Sequence, residues 1–295
     1  MHPFIESLLS NGPLLTDGAW GTQMQARGLA VGGCPDEWNL SRPEVVEEIP
    51  RAYVEAGSQI VLTNTFRANR VTLADYGLAD QVEAINRAGA EISCRAAAGR
   101  ARVFGSIGPS GRMLMMDEVS EQLLLEAFDE QARALAAGGA DGLVIETMGD
   151  LAEAKLAVQG AKAAGLPVVA CMCFDSGAAL DRTLMGTTPE QAAQELTAAG
   201  ADVIGANCGQ GIAGYVDLCR RLHAATERPI WVKPNAGIPE LVDDVPLWKT
   251  PPQEFARYGP DLVAAGAAFL GGCCGTAPDF IRALHDAIRD GKAAS

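Results

Sequence analysis

Histidine is almost missing from this sequence: its 295 residues hold only His2, His223 and His285, one at the start and two on predicted helices. An imidazole-rich metal site of the kind that activates water for hydrolysis is thereby excluded. Basic residues are also short, 23 Lys and Arg against 37 Asp and Glu, for a formal net charge of −14. That balance argues against nucleic acid or an anionic membrane surface as a partner held by bulk electrostatics. No run approaches the roughly 18 apolar residues of a bilayer-spanning helix. The opening residues, Met1 to Glu6, lack the basic start and apolar stretch of a signal peptide, so a cytoplasmic protein is expected. Eight cysteines in this length are too few for a disulfide scaffold, and in a reducing compartment their positions carry the information.

What the sequence does contain is a repeated pattern. Eight short β-branched, apolar runs are predicted as strands: Leu14–Ala19, Ile60–Phe66, Val103–Gly108, Leu143–Thr147, Val168–Phe174, Val203–Cys208, Ile230–Ala236 and Phe269–Cys274. Between them lie Ala- and Leu-rich segments of helical spacing, among them Glu121–Ala137, Leu151–Ala164, Pro189–Ala199 and Tyr215–Ala225. Thr188-Pro189-Glu190 and Thr276-Ala277-Pro278-Asp279 read as helix starts. Alternating strands and helices imply a parallel sheet, because parallel neighbours need crossover connections. Eight units in this length predict an α/β fold, a (β/α)8 TIM barrel in a single domain over residues 1–295. A doubly wound open sheet is the alternative.

In a barrel of this kind the active site lies at the carboxyl ends of the strands. The unusual polar residues fall there: Asp17, Asn64, Thr65, Ser106, Glu146, Asn207, Cys208, Lys233, Asn235, Cys273 and Cys274. Cys208 ends the sixth strand and Cys273-Cys274 the eighth, so three thiolates converge on one mouth. Soft thiolates select Zn²⁺, and a catalytic zinc takes three protein ligands and keeps one position open. Adjacent cysteines can share a metal only if the chain turns at Gly271-Gly272 or Gly275. A buried structural pair is the alternative. Cys171 and Cys173 form a C-x-C on one strand face and are read as packing, as are the isolated Cys34, Cys94 and Cys219. Zinc carrying three thiolates is formally −1, a poor Lewis acid for water but a good site for holding a substrate thiol as thiolate. Alkylation of a thiolate is the reaction class this ligand set favours.

At this point the chain resembles a known family. Asp17-Gly18-Ala19-Trp20-Gly21-Thr22, Leu62-Thr63-Asn64-Thr65-Phe66, Gly105-Ser106-Ile107-Gly108-Pro109, Glu146-Thr147, Gly205-Ala206-Asn207-Cys208, Pro234-Asn235-Ala236-Gly237 and Gly271-Gly272-Cys273-Cys274-Gly275-Thr276 resemble the homocysteine S-methyltransferases. That family includes the betaine– and S-methylmethionine–homocysteine methyltransferases and the homocysteine domain of cobalamin-dependent methionine synthase. The resemblance implies one zinc per chain on Cys208, Cys273 and Cys274, and methylation of the homocysteine thiolate to methionine. It also implies that Glu146, with Asp17, holds the substrate ammonium, that Ser106 lies in the substrate site, and that Asn235 fills the open zinc position before substrate arrives. The glycine-rich stretches Gly105–Gly111 and Gly209–Gly211 would offer backbone amides to the substrate carboxylate, and neither ends as a nucleotide P-loop does.

The methyl donor is left open by the sequence. Betaine-using animal enzymes carry tyrosine directly after the glutamate matching Glu146, and here that residue is Thr147. Neither their C-terminal extension nor the folate- and cobalamin-binding modules of methionine synthase are found in these residues. The expected donor is therefore a small onium compound or a methyl group brought by a separate methyl-carrier protein. Trp20, Trp38 and Phe66 would form a cation–π cage for an onium donor. Other small thiols as acceptor, and a zinc-binding barrel without catalysis, are the remaining alternatives.

Overall fold

The computed structural model describes residues 1–242 and 245–293. Eight parallel strands form one sheet: β1 (Leu14–Leu15), β2 (Ile60–Leu62), β3 (Arg102–Ile107), β4 (Gly142–Met148), β5 (Val168–Met172), β6 (Val203–Gly211), β7 (Ile230–Asn235) and, after a small hairpin, β10 (Ala267–Leu270). The hairpin pairs β8 (Glu240–Val242) with β9 (Val245–Leu247) and was not predicted. The sheet runs β1-β10-β7-β6-β5-β4-β3-β2, with helices in the crossovers. No described helix is long and apolar enough to cross a membrane.

The two end strands, β1 and β2, meet without a ladder, and side chains help to close the barrel there. The Gln59 N–H donates to Leu15 O at 2.8 Å, and Gln59 Oε1 accepts from the Leu15 N–H at 3.1 Å. One turn higher, Asp17 Oδ2 accepts from the Leu62 N–H at 2.8 Å, and Ser58 Oγ donates to Thr16 O at 3.2 Å. The ladders of β1 and β2 end several residues before the predicted strand ends because polar side chains take over the backbone groups there. The architecture is a (β/α)8 barrel.

Inside, one residue or more from each strand fills the lumen, including Leu14, Ile60, Phe104, Val144, Val169, Cys171, Val203, Trp231 and Phe269. Phe104 stacks on Trp231 at 6.0 Å, and Trp231 meets Phe269 at 5.2 Å. These rings form a solid floor, and the N-terminal helix Pro3–Leu9 seals it from below through Ile5 and Phe4. With the lumen packed, only the carboxyl ends of the strands can form a site. The helices bury their apolar stripes on the outside of the sheet, as Leu124, Phe128 and Leu135 do from helix Glu121–Ala137.

Candidate active site

The sulfurs of Cys208, Cys273 and Cys274 lie within 4.8 Å of one another, and Cys208 Sγ is 3.9 Å from Cys274 Sγ. A tetrahedral zinc with Zn–S bonds of about 2.3 Å needs sulfurs about 3.8 Å apart, so the spacing and the donor type fit that ion. Both cysteines of the adjacent pair reach the site because they lie past the end of β10, where strand alternation no longer applies. The chain turns at Gly275, with φ +80°. Gly272 allows the close approach beneath: a side-chain carbon there would sit 2.4 Å from Thr276 Oγ1. The Cys273 N–H donates to Pro234 O at 2.8 Å, which ties the loop to β7.

The three sulfurs do not titrate alike. Hydrogen bonds from Cys173, Cys273 and Cys274 pull the Cys208 thiol far below its ordinary value. In return, the hydrogen bond with Cys208 raises Cys273 well above its ordinary value and pushes Cys274 up to about 12. Cys173, read from the sequence as packing, thus adjoins the cluster, while Cys171 does pack in the barrel floor.

Asn235 is anchored at both ends of its amide. Its Nδ2 donates to Gly209 O at 2.9 Å, and its Oδ1 accepts from the Cys274 N–H at 3.0 Å. It clamps the loop after Cys208 to the loop carrying Cys274. In this arrangement its oxygen faces the backbone rather than an open metal position.

Beneath the sulfurs lies a buried charge cluster. Lys233, 2% exposed, pairs with Asp17 Oδ1 at 2.5 Å. Burial lowers the Lys233 ammonium, but Asp17 and Glu146 beside it outweigh burial and hold it above its ordinary value. Asp17, 0% exposed, also accepts from the Leu62 N–H and, at 3.1 Å, from Trp20 Nε1. The expected pairing of Asp17 with Glu146 on a substrate ammonium is not how the carboxylates lie. Asp17 is committed to Lys233 and to the barrel seam and does not line the cavity, whereas Glu146 does.

Glu146 is 8% exposed. Its Oε1 accepts from Ser106 Oγ at 2.5 Å and its Oε2 from Asn207 Nδ2 at 3.4 Å. Burial pushes the Glu146 carboxyl up, against the pull of Lys233 and the Ser106 hydroxyl. Asn207 also accepts from the Thr147 N–H at 2.6 Å, donates to Thr147 Oγ1 at 2.7 Å and reaches Cys273 Sγ at 3.8 Å. Its side chain therefore joins the carboxylate end of the site to the thiol end.

Cysteines and carboxylate face one cavity with an empty volume of about 970 Å³ counted to its open mouth. Ser106, Glu146, Thr147, Cys208, Lys233, Cys273 and Cys274 line it, with Trp20, Phe66 and Arg67. Of the expected aromatic cage, Trp20 and Phe66 are on the wall. Trp38 is elsewhere, packed with Ile49 and Tyr53 of helix Pro43–Glu55 and covered by the Arg42 guanidinium at 4.2 Å. Sequence reasoning missed Cys173 and Arg67, and it gave no role to Lys233. The C-x-C spacing was the signal for Cys173, and nothing marked Arg67, which follows the family segment ending at Phe66.

The family profile described as Homocysteine S-methyltransferase matches residues 14–288. A methionine synthase from Mycobacterium tuberculosis is 34% identical across 97% of this chain and 25% of its own length. The Mycobacterium leprae methionine synthase is 32% identical across 95% of this chain and 24% of its own. The chain thus spans about a quarter of the length of these curated relatives. Among solved structures, the metallated form of the homocysteine methyltransferase MmuM from Escherichia coli is similar with TM-score 0.80 and 25% identity over the whole of both chains. Its oxidized form gives TM-score 0.81 at the same identity. With the profile covering nearly all of the chain and the sulfur cluster in place, this protein belongs to the homocysteine S-methyltransferase family.

Proposed function

We propose that the chain transfers a methyl group to the thiolate of homocysteine, giving methionine, with zinc held by Cys208, Cys273 and Cys274. The observation that carries this reading is three thiols within 4.8 Å of one another on the wall of a cavity that also contains a buried carboxylate, Glu146. Bound there, zinc would keep a substrate thiol ionised at neutral pH while leaving its sulfur nucleophilic. The relatives' names, methionine synthase and homocysteine methyltransferase, agree with homocysteine as the acceptor. A reducing, cytoplasmic setting suits a site of free thiols.

The protein's own residues bind and orient. Glu146 takes the ammonium of the amino-acid end, and a cation beside it offsets the burial that pushes its carboxyl up. Ser106 fixes one carboxylate oxygen and Asn207 the other, so the ammonium and the thiol are held at a set separation. Asp17 acts through Lys233, which balances the carboxylates beneath the thiolates. Asn235 sets the spacing of the two cysteine loops. The acceptor sulfur then attacks the methyl carbon in line. The new S–C bond forms as the donor's bond to methyl breaks, and the electron pair stays on the donor.

The curated relatives named methionine synthase favour a second reading for the donor, in which a methyl-carrier protein presents the methyl group at the cavity mouth. Both readings are tested by methionine formation from homocysteine with the zinc-loaded chain, across onium donors and a methylated corrinoid. Cys208→Ser should abolish zinc binding and turnover together. Full activity of a metal-free preparation refutes the zinc site.

A further inference from the structure

The amide of Asn207 has more acceptors around it than hydrogens to give them. The residue is fully buried on β6, beside Cys208, where the strand register pairs it with Lys233. Its Oδ1 accepts from the Thr147 N–H at 2.6 Å, which fixes the orientation of the amide, because a backbone N–H can only donate. Nδ2 then carries two hydrogens and has three acceptors within reach. These are Thr147 Oγ1 at 2.7 Å, Glu146 Oε2 at 3.4 Å and Cys273 Sγ at 3.8 Å. The short contact with Thr147 takes one hydrogen. Glu146 and Cys273 share the other, and the contact to the carboxylate is correspondingly longer than the usual N–H···O distance of about 2.9–3.0 Å.

The two groups that share it belong to opposite ends of the substrate site. Glu146 lines the cavity at the end that takes the acceptor's ammonium, and Cys273 is one of the three clustered sulfurs. Until a substrate ammonium reaches Glu146, the shared hydrogen lies between a carboxylate and a metal-bound thiolate. The ammonium neutralises the carboxylate and weakens its pull, while the pull of the sulfur is unchanged. The hydrogen then moves toward Cys273. A hydrogen bond to a ligand thiolate draws electron density from the sulfur and stabilises it against protonation. The metal is held more tightly as a result and becomes a better acceptor for an incoming thiol.

We propose that Asn207 is a positioning residue that couples the two ends of the site: an ammonium at Glu146 turns the shared amide hydrogen to Cys273 and tightens the metal. This rests on the reading of Glu146 as the ammonium site and of the cysteines as metal ligands. The consequence is selectivity among thiols. One that carries an α-ammonium meets a metal primed to ionise it, and a mercaptan without one does not. The coupling is reciprocal, so the metal tightens the amino-acid end by the same factor. Asn207 acts through Cys273 and gives up no proton.

The test uses L-norvaline, which has a methyl group where homocysteine has its thiol and so reaches Glu146 without binding the metal. Pentanoate, which lacks the ammonium, is the control. Two quantities are read on the full chain: the zinc Kd, by competition with a chromogenic chelator, and the thiolate-to-metal charge-transfer band of the cobalt-loaded protein. In the wild type, saturating norvaline should lower the zinc Kd by on the order of 3- to 10-fold and shift the band. Pentanoate should do neither. Asn207→Asp keeps the side-chain shape and the acceptor for the Thr147 N–H but has no hydrogen to give. It should still bind norvaline by calorimetry and show neither effect. A wild type that binds norvaline with zinc Kd and band unchanged overturns the proposal and leaves the ammonium reading intact, whether or not the variant folds. An equal response to pentanoate overturns it too, as does a variant that keeps both effects. If norvaline does not bind the zinc-loaded chain at all, the placement of the ammonium at Glu146 has itself failed, and the coupling falls with it.

Discussion

Replacing Lys233 by methionine should be among the most damaging single changes that leave the cysteines untouched. The methionine is of similar length and would fill the same space, so the effect isolates the charge. It would leave Asp17 fully buried with two remaining donors, the Leu62 N–H and Trp20 Nε1, and no counter-ion. Breaking a buried pair from one side costs about 3–5 kcal/mol, because a charge is stranded without compensation. For a chain of this size that corresponds to a fall in Tm of roughly 6–20 °C. The double variant Asp17→Asn/Lys233→Met removes both charges and keeps an oxygen to accept from Leu62. It should return most of the loss, to within about 1–2 kcal/mol of the wild type. Urea unfolding at pH 7 of the wild type, both single variants and the double completes the cycle. A loss under about 1 kcal/mol for Lys233→Met, or a double variant as unstable as that single, would refute the view that Lys233 is there to neutralise Asp17.

Ser106→Ala removes a hydroxyl that favours the ionised form of Glu146, so the carboxyl should rise further and homocysteine binding should weaken by on the order of tenfold with zinc content unchanged. An unaltered homocysteine Kd by calorimetry would count against Glu146 as the ammonium site. Asn235→Ala frees both cysteine loops at once, and zinc affinity, measured by competition with a chromogenic chelator, should drop by roughly 10- to 100-fold. Asp36 gives a pH signature. Burial raises its carboxyl from 3.8 to about 6, so its contribution to stability is full below its unfolded pKa and is lost as the pH rises through 6. The loss amounts to about 3 kcal/mol. Asp36→Asn keeps the acceptor for the Arg67 N–H and should remove this component of the decline, and a variant whose stability falls with pH as steeply as the wild type's would show that another group is responsible.

The barrel was legible because short apolar runs, most of them rich in β-branched residues, alternate with helical segments, a pattern that survives without any long-range information. The strand starts agree closely, Val103 against Arg102 and Leu143 against Gly142. The ends of the first two do not, since Asp17 and Gln59 replace ladder hydrogen bonds that no local pattern reveals. The clustering of Cys208, Cys273 and Cys274 was legible from residue type and strand position together. The partner of Asp17 was not, because Lys233 is 216 residues away and a buried ion pair leaves no periodic trace. For the same reason Asp17 read as a substrate ligand. Trp38 read as a cavity residue because aromatic type says nothing about which side of a helix it will face.

What adjacent residues do at the strand ends explains how so compact a site is built. A regular strand sends neighbours to opposite faces, which would put Glu146 and Thr147 on different sides of the sheet. Both line the cavity, and Thr147 adopts φ +62°, in the left-handed region. Cys208 does the same with φ +63°. Such a conformation costs a non-glycine residue roughly 1–2 kcal/mol, and it persists only where surrounding contacts hold it. Here the holder is Asn207, adjacent to Cys208 and hydrogen-bonded to Thr147 through both ends of its amide. One side chain thus stabilises a turn that lets β4 present its carboxylate while its own strand presents a thiol. The resulting site is anionic: Asp17, Lys233 and Glu146 sum formally to −1, and three thiolates on the proposed divalent ion would add another −1. An ammonium or an onium centre is drawn into such a cavity, whereas a lone carboxylate is repelled from it.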